Sequence, residues 1–528
     1  MPRPGFVLEV DRSTPPVLIW HGEGFRLERL PADRSRVIYA PEPLAPLVDP
    51  DAAIRQALLE PMGDSAPLPE LLHAGMRLTI AFDDLSLPLP PMRRPDNRQR
   101  VIEAVLEMAA AAGVDDVVLI AALGLHRRMT DAELRHALGD RIFDSFAPHG
   151  ALLQHDAEDP SELVMVGKTE KGEDVEVSRR VAESDLLVYV NINLVAMDGG
   201  HKSTSTGLMS YRSVRHHHNV KTLQHSRSLM DRPNSELHSS AWRIGRFLGK
   251  HVKVFQIETT LNNDAFPSQM AFLQKREWEW DVRDRATFLA TSRGLDMLSP
   301  AAKRSVFNSI LAPQAMTSVQ AGEVEAVHAS TIEALHRQQI VDVDGQSDVV
   351  IFGLPHVGPY NVNSIMNPLL VMCMSLGYFF NFYIGKPLVR PGGVVIVSHP
   401  TPWAFHPVHH PSYIDFFEEV LSATTDPLQI EKVYEERFAT DEWYRHLYRT
   451  SYAYHGVHPF YMWYWGAHAL EHAAATIIVG GNRKAVRRMG FKPATTLADA
   501  LEMAEDQVGR DPTITYFRCP PVMLANVH

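Results

Sequence analysis

The sequence predicts a two-domain α/β protein whose sheets are mostly parallel, with a cleft between the domains. Two observations lead to this prediction. Short apolar segments typical of buried strands alternate with segments of helical period along most of the chain. The chain also has 528 residues, which exceeds what one hydrophobic core usually holds. We therefore expect an N-terminal domain over residues 1–340 and a C-terminal domain over residues 341–528.

The first domain is expected to alternate strands and helices. Its predicted elements are, in order, strand 77–82, helix 97–112, strand 117–123, a helix that starts after Thr130, strand 186–192, helix 236–248 and strand 252–258. Helix 97–112 is amphipathic, with Val101, Val105 and Ala109 on one face. Thr130 and Glu133 have the spacing of a capping box, which marks the start of the next helix.

The alternation weakens over residues 264–316, which we interpret as an insertion with helices of its own. Helical sequence over 322–337 follows, and the polar stretch 341–347 after it is the best candidate for a domain boundary. The second domain is expected to contain strands 348–353, 393–397 and 475–479 and a helix at 497–507.

The composition argues against several classes of function. Lys and Arg number 51 against 63 Asp and Glu, so the net charge of −12 leaves no basic surface for nucleic acid. No apolar run reaches the length of about 18 residues that a membrane helix needs, and the N-terminus lacks the pattern of a secretory signal. Cys373 and Cys519 are too few for a disulfide framework. We expect a cytoplasmic protein that binds neither nucleic acid nor membrane.

Four groups of polar residues follow predicted strands directly. Asp83 and Asp84 follow strand 77–82, His126 follows strand 117–123, Lys202 comes after strand 186–192, and His399 follows strand 393–397. In doubly wound folds the carboxyl ends of the strands carry the chemistry, because loops and helix N-termini converge there. Each residue alone also has a purely structural explanation, as a turn, a helix cap or a surface side chain. Their shared position makes a catalytic site the better hypothesis.

A turn rich in Gly, Ser and Thr, residues 198–207, contains Lys202. Such a turn after a buried strand offers backbone N–H groups, hydroxyls and one cation to an anion, although it matches neither the P-loop nor the dinucleotide-binding pattern. The run His216 to His218 lies a short distance downstream. It is either a solvated run or a source of imidazole ligands for nickel or zinc.

Three of these segments resemble motifs of the nickel-pincer-nucleotide-dependent lactate racemases. The family's Asp-x-Thr-Arg-Pro turn has an altered counterpart in Asp-Asp-Leu-Ser-Leu-Pro at 83–88. Its Gly-x-His-Arg-x-x-Thr segment is similar to residues 124–130, and its Gly-Gly-x-Lys turn is similar to residues 199–202. The order of these motifs is the same, and the resemblance covers most of the chain.

The resemblance implies roles for the matching residues. Lys202 would be joined covalently to the cofactor, the nickel-pincer nucleotide (pyridinium-3,5-bisthiocarboxylic acid mononucleotide with nickel). A histidine would complete the nickel coordination, and His218 is favoured over His216 and His217. His126 would be the general base, supported by Asp84. The remaining cofactor-binding residues would be Gly199, Gly200, Ser203, Thr204 and Asp83.

The chain departs from the family pattern in three places. Leu87 occupies the position of the family's arginine. The positive charge that binds a substrate carboxylate is therefore missing, or it comes from Arg93, Arg94 or Arg98. The family's second catalytic histidine is absent from residues 191–195. Its replacement would be His201 or a histidine of the loop 399–410.

The third departure concerns substrate binding. The family's Gln- and Lys-containing segment is replaced by the Asn-rich residues 360–367, so we expect Asn361 and Asn363 to contact the substrate. Arg94, His399 and Trp403 complete the predicted substrate site. These changes disfavour lactate and favour a larger, less polar substrate.

The predicted function is therefore racemisation or epimerisation of a 2-hydroxy acid other than lactate. The alternatives are a one-sided redox reaction on an α-hydroxy compound with the same cofactor, and a non-catalytic relative that binds a nucleotide or metabolite. The expected partners are the small-molecule 2-hydroxy acid and the enzymes that assemble the cofactor, and association into a homo-oligomer stays open.

Overall fold

A computed structural model describes residues 2–528 of the chain and has the predicted α/β architecture with mostly parallel sheets. Within these residues twenty strands are found, and they are β1 (Phe6–Glu9), β2 (Val17–Trp20), β3 (Phe25–Glu28), β4 (Ser35–Tyr39), β5 (Arg77–Asp83), β6 (Asp116–Ala122), β7 (Leu152–Gln154), β8 (Leu163–Lys168), β9 (Asp174–Ser178), β10 (Leu186–Asn193), β11 (Val254–Leu261), β12 (Met316–Gly322), β13 (Ile340–Val343), β14 (Ser347–Gly353), β15 (Tyr383–Ile384), β16 (Val389–Ser398), β17 (Ala475–Val479), β18 (Lys492–Ala494), β19 (Ile514–Arg518) and β20 (Leu524–Val527).

The α-helices of the same residues are α1 (Pro50–Leu59), α2 (Leu68–Leu71), α3 (Asn97–Ala111), α4 (Asp131–Phe146), α5 (Arg179–Ala182), α6 (His201–Gly207), α7 (Tyr211–Val214), α8 (Val220–His225), α9 (Glu236–Leu248), α10 (Val282–Asp296), α11 (Pro300–Asn308), α12 (Val324–Gln339), α13 (Pro368–Met372), α14 (Pro411–Asp415), α15 (Leu421–Ala423), α16 (Pro427–Ile430), α17 (Glu436–Thr440), α18 (Glu442–Thr450), α19 (His458–Tyr464), α20 (Ala467–His472), α21 (Arg483–Arg488) and α22 (Leu497–Val508).

The first large sheet has six strands in the order β12-β11-β10-β5-β6-β7. Every pair in it is parallel except β11 with β12, which is antiparallel and lies at an edge. The strand β10 is buried along its whole length, as expected for an apolar strand covered on both faces. Because β5, β6 and β10 are parallel neighbours, their carboxyl ends meet at one edge of the sheet.

The second large sheet has seven strands in the order β1-β4-β19-β14-β16-β17-β18, and only β1 runs antiparallel to its neighbour. It includes β1 and β4 from the N-terminus, which the strand pattern of the sequence did not predict. The chain therefore starts in this sheet, builds the six-stranded sheet and then returns. The domain boundary near residue 341 stays a prediction.

Most of the predicted elements lie where the sequence pattern placed them. The helix predicted at 236–248 is α9 with the same bounds, and the insertion 264–316 contains the two helices α10 and α11. The polar stretch chosen as a boundary contains the strand β13, because Val341 and Val343 alternate with Asp342 and are buried. Among the described residues, none of the helices combines the length and apolar character needed to cross a bilayer.

Candidate active site

The carboxyl ends of β5, β6 and β10 open into a cavity that residues from the second half of the chain close on the opposite side. Seven of the site residues predicted from the sequence line this cavity, and they are Asp83, Asp84, His126, Gly199, Lys202, Ser203 and His218. They come from four separate segments, and parallel strand pairing brings three of these, the turns after β5, β6 and β10, to one edge of the sheet.

The centre of the site is a histidine paired with a buried carboxylate. The Nδ1 atom of His126 lies 2.7 Å from Oδ2 of Asp84, and Asp84 also accepts a hydrogen bond from the backbone N–H of Ser86. Burial by itself would raise the pKa of Asp84, but His126 and Ser86 together hold this pKa below its usual value. An ionised carboxylate at Nδ1 favours the proton on that nitrogen and leaves Nε2 as a proton acceptor.

The turn that contains His126 is hydrogen-bonded to the C-terminal end of α6. Gly124 has a φ of +53°, and its N–H donates to the carbonyl oxygen of Gly207 over 3.0 Å. A Cβ atom at Gly124 would lie 2.5 Å from the carbonyl oxygen of Thr206, so the approach requires glycine. This contact fixes the position of His126 relative to the helix that contains Lys202.

Arg98 stabilises the turn that contains Asp83 and Asp84. Its guanidinium donates to the carbonyl oxygens of Asp83 and Asp84 over 2.8 and 2.6 Å, and Asp96 balances its charge at 2.8 Å. Arg98 is thus a positioning residue for the Asp84 turn and does not line the cavity. Arg94 lies at the surface, where it pairs with Asp140 at 3.1 Å.

Asp83 stabilises the carboxyl end of the neighbouring strand β10 through hydrogen bonds. One of its carboxylate oxygens accepts a hydrogen bond from Asn191 over 2.8 Å, and the other accepts the backbone N–H of Ile192 over 2.7 Å. Burial raises the pKa of Asp83 to about 7. The two carboxylates of this turn therefore differ, because Asp84 faces a histidine while Asp83 faces only neutral donors.

The Gly-rich turn differs from the expectation that its backbone donors would be free for an anion. The N–H of Gly200 donates to the buried carboxylate of Glu258 over 2.6 Å, and the N–H groups of Leu194 and Val195 donate to Asp198. These backbone N–H groups are already bonded to carboxylates of the protein, because the buried side chains of Glu258 and Asp198 need hydrogen-bond donors. Glu258 stands out in the sequence as an acidic residue inside an apolar strand.

Lys202 lies on the cavity side of α6 and is partly exposed. No ion pair found within residues 2–528 includes it, whereas nearby carboxylates are paired with histidines. Ser203 also faces the cavity, and its hydroxyl donates to Asn191 over 2.9 Å. Thr204 is buried against the carbonyl oxygen of His201 and does not line the cavity.

His201 points to the opposite side of α6. Its Nε2 atom lies 3.2 Å from a carboxylate oxygen of Glu325, and its ring packs edge-on against Trp242. Burial lowers its pKa, an effect that Glu325 partly offsets. Because His201 does not line the cavity, the structure does not place it near His126 as a second base.

The three consecutive histidines have three different surroundings. Only His218 lines the cavity, while Nε2 of His217 lies 3.1 Å from the hydroxyl of Thr206 and Nε2 of His216 lies 3.5 Å from Asp174. The Nδ1 atom of His218 is buried without a hydrogen-bond partner, and burial lowers the pKa of this histidine. A neutral imidazole with an uncommitted nitrogen is the form in which histidine binds a metal.

The far side of the cavity is an aromatic wall, defined as Tyr360, Tyr378 and Trp465. The two tyrosine hydroxyls lie 2.9 Å apart, and the Tyr378 ring stacks on Trp465 with ring centres 5.4 Å apart. Tyr360 packs edge-on against His126, and Trp465 contacts His218. Sequence reasoning missed the wall, since Tyr378 and Trp465 occur in apolar runs that have the pattern of ordinary core, and in the Asn-rich segment that begins at Tyr360 the asparagines were chosen instead.

The predicted substrate-binding residues of the second half lie behind this wall or away from it. Asn363 donates to Glu133 over 2.8 Å, His399 accepts the backbone N–H of Thr401, and Trp403 packs on Phe417. Asn361 is buried beside Gly358. None of these four predicted residues lines the cavity. The loop 399–410 contributes indirectly, because a ring nitrogen of His410 lies 3.1 Å from the carbonyl oxygen of Tyr360.

The site thus combines a histidine oriented by a buried carboxylate, at the carboxyl ends of parallel strands, with a lysine in the same cavity that forms no ion pair, and such a histidine can accept a proton. Residues 21–231 match the family model of the lactate racemase N-terminal domain. The chain is also 24% identical over 218 residues to the lactate racemase of Lactiplantibacillus plantarum. This match covers 40% of this chain and 48% of that enzyme, so the chain spans about half the length of this relative. These matches support a relationship to the lactate racemase family over residues 21–231.

Two solved structures share the fold. The lactate racemase apoprotein of Thermoanaerobacterium thermosaccharolyticum superposes with a TM-score of 0.61 at 18% identity, covering 97% of this chain and 99% of that chain. A Thermotoga maritima protein superposes with a TM-score of 0.50 at 14% identity, covering 92% and 100%. At these identities the likeness shows a common fold.

Proposed function

We propose that this protein racemises or epimerises a 2-hydroxy acid other than lactate, with a nickel-pincer nucleotide attached to Lys202. One observation carries the proposal. The His126–Asp84 pair shares its cavity with an unpaired lysine and with a buried histidine whose Nδ1 has no partner. A proton acceptor, a nucleophilic amine and a neutral metal ligand are the three groups that this chemistry needs from the protein.

The residues present fit the cofactor. Lys202 would hold it through its side-chain nitrogen, His218 would coordinate the nickel, and Ser203 and Gly199 line the surrounding surface. When bound, the nucleotide would supply a centre that takes a hydride from the substrate carbon and returns it. Thr204, Gly200 and Asp83 would support the site from outside it, since their polar groups are bonded within the protein.

The proton step belongs to His126. Its Nε2 atom would take the hydroxyl proton as the substrate carbon–oxygen bond becomes a carbonyl, and Asp84 would stabilise the imidazolium that forms. The same histidine would return the proton when the hydroxyl is restored. The wall residue Tyr360 packs edge-on against the His126 ring and would hold the ring in place during this step.

The cavity is poorly suited to lactate. Leu87 lines it at the position of the family's arginine, and the described lining contains no arginine at all. Asp83, Asp84 and Asp198 add acidic groups, so a small carboxylate would find little charge compensation once Lys202 is joined to the cofactor. Burial raises the pKa of both wall tyrosines far above its usual value, which keeps them protonated. Their mutual hydrogen bond uses one O–H proton and leaves the other for a substrate oxygen.

The test is intact-protein mass and nickel content, measured on protein made together with the cofactor-assembly enzymes. The wild-type chain and the control Lys221→Ala, an exposed lysine of α8, should carry the adduct and nickel, and Lys202→Ala should carry no adduct. A wild-type chain that takes up neither group would favour the non-catalytic binding alternative. Adduct and nickel without racemisation would favour the one-sided redox reaction.

The setting of this activity is part of the same proposal. We place the protein in the cytoplasm, in contact with the cofactor-assembly enzymes, in keeping with two cysteines that are free and buried.

A further inference from the structure

The cavity that holds His126 and Lys202 continues into a region lined mainly by apolar side chains and without charged ones, which we name the apolar arm. Its lining side chains are Trp20, Phe266, Met270, Phe307 and Ile310. Four of the five come from the insertion 264–316, and Trp20 ends the strand β2 of the N-terminal segment. The arm is thus built by parts of the chain that contribute nothing to the proton-transfer site.

The arm is a preformed surface. Phe266 stacks on Trp20 with ring centres 5.6 Å apart, and Phe307 packs edge-on against Trp20 at 6.5 Å. Phe25 contacts Trp20 from the other side at 5.8 Å. Behind them a second layer of aromatic rings, Phe272, Trp280 and Phe288, completes one hydrophobic cluster. Side chains fixed on several sides keep their places whether or not a ligand is present.

The part of the cavity that connects the arm with His126 and Lys202 is also lined mainly by apolar side chains. Leu87 and Leu89 line the cavity beside Asp84, and Leu261 and Ala265 line it where β11 ends and the insertion begins. The polar residues of this side are the neutral amides Asn262, Asn263 and Gln314. A second carboxylate or a polyhydroxylated chain would find neither a cation nor a dense set of hydrogen-bond partners here.

We propose that the apolar arm binds the side chain of the substrate, which is then a 2-hydroxy acid with an aromatic ring or a long aliphatic chain. This inference rests on the proposed function for the identity of the reacting end. The arm itself sets the preference, because burying apolar surface is favourable in proportion to the area removed from water. Each added CH₂ group should tighten binding about 4-fold until the arm is filled.

The experiment uses a series of 2-hydroxy acids on the full-length protein. Lactate, 2-hydroxybutanoate, 2-hydroxyhexanoate, 2-hydroxyoctanoate, 3-phenyllactate and malate are compared by calorimetric Kd, with and without cofactor, and by racemisation of the loaded enzyme. Affinity should rise along the aliphatic series by on the order of 100-fold or more, and malate should bind no better than lactate. Equal affinity for lactate and 2-hydroxyoctanoate, or a preference for malate, would overturn the inference.

Paired variants locate the effect in the arm. Ile310→Trp fills the arm, and it should weaken 2-hydroxyoctanoate and 3-phenyllactate about 10-fold or more while changing lactate less than about 2-fold. Leu289→Trp is the matched control, because Leu289 belongs to the same insertion but is exposed. Met270→Phe would narrow the arm at another point. It serves as the test variant if Ile310→Trp does not fold. Equal losses for lactate and the long substrates, in either filled variant, would also contradict the inference.

The two proposals can fail separately. Binding that increases with chain length, in a protein that takes up no nickel and racemises nothing, would retain the arm as a ligand site and remove the enzymatic proposal. Racemisation of lactate or malate in preference to the long acids would retain the enzyme and remove the arm as its specificity site.

Discussion

Replacing Asp84 by Asn tests the central pair of the site with the smallest possible change in shape. Asp84 is fully buried, with one carboxylate oxygen 2.7 Å from Nδ1 of His126 and the other accepting from Ser86. An amide has one acceptor and one donor group, so it cannot accept from both partners. Either His126 is forced to carry its proton on Nε2, or Ser86 loses its acceptor.

The expected loss of activity is large. With the proton on Nε2, His126 no longer offers a base to the substrate, and the developing imidazolium loses its counter-charge. The same Asp-to-Asn change in a Ser-His-Asp triad lowers kcat about 10⁴-fold through the wrong tautomer. We therefore expect Asp84→Asn to lower kcat by about 10³- to 10⁴-fold with little change in nickel content.

Stability provides a second readout with a defined dependence on pH. Hydrogen bonds to a charged group contribute about 1.5–3 kcal/mol each, so the wild type should be the more stable protein at neutral pH. The folded pKa of Asp84 is lowered, so this advantage is complete above the ordinary pKa of about 3.9 and is lost as the pH falls through the lower folded value.

The assay combines chiral chromatography of the best 2-hydroxy acid with thermal unfolding of the same preparations over a range of pH. Asp64→Asn, at an exposed aspartate, is the control and should behave like the wild type. If Asp84→Asn folds, carries nickel and retains more than about a tenth of the wild-type kcat, the reasoning about the tautomer of His126 is wrong.

Three further substitutions probe the rest of the site. His218→Ala should lose nickel while His216→Ala keeps it, since His216 faces Asp174 outside the cavity; equal nickel in both would exclude His218 as the ligand. Leu87→Arg should tighten lactate binding about 10- to 100-fold by adding a charge-assisted contact, and an unchanged calorimetric Kd would argue against our account of specificity. Gly200→Ala should lower the Tm, because its φ is +59° and a Cβ would lie 2.9 Å from the His328 ring.

The local sequence was sufficient to predict which turns meet at one edge of the six-stranded sheet. Apolar strands followed by polar turns identified Asp84, His126 and Lys202, and parallel pairing of β5, β6 and β10 brings such turns to one edge. The strand ends were predictable because the signal for a buried parallel strand and its end is contained in a few consecutive residues. The resemblance to a family then suggested a role for each turn, and the match to the lactate racemase N-terminal domain supports that family.

The opposite side of the cavity was not predictable in this way. Asn361, Asn363 and Trp403 were expected to contact the substrate, yet the cavity is closed by the wall residues Tyr360 and Tyr378 instead. An alternating or helical pattern tells which side chains are buried, but it does not tell which distant segment they are buried against.

The α/β class, the order of most strands and the turns that carry the proposed chemistry thus follow from local patterns in the amino-acid sequence. Three features depend on the folded chain: Gly200 donates to Glu258, His218 rather than its two neighbours faces the cavity, and Phe307 of the insertion lines it. Contacts of this kind join residues far apart in the chain, and they depend on packing geometry that no local pattern encodes.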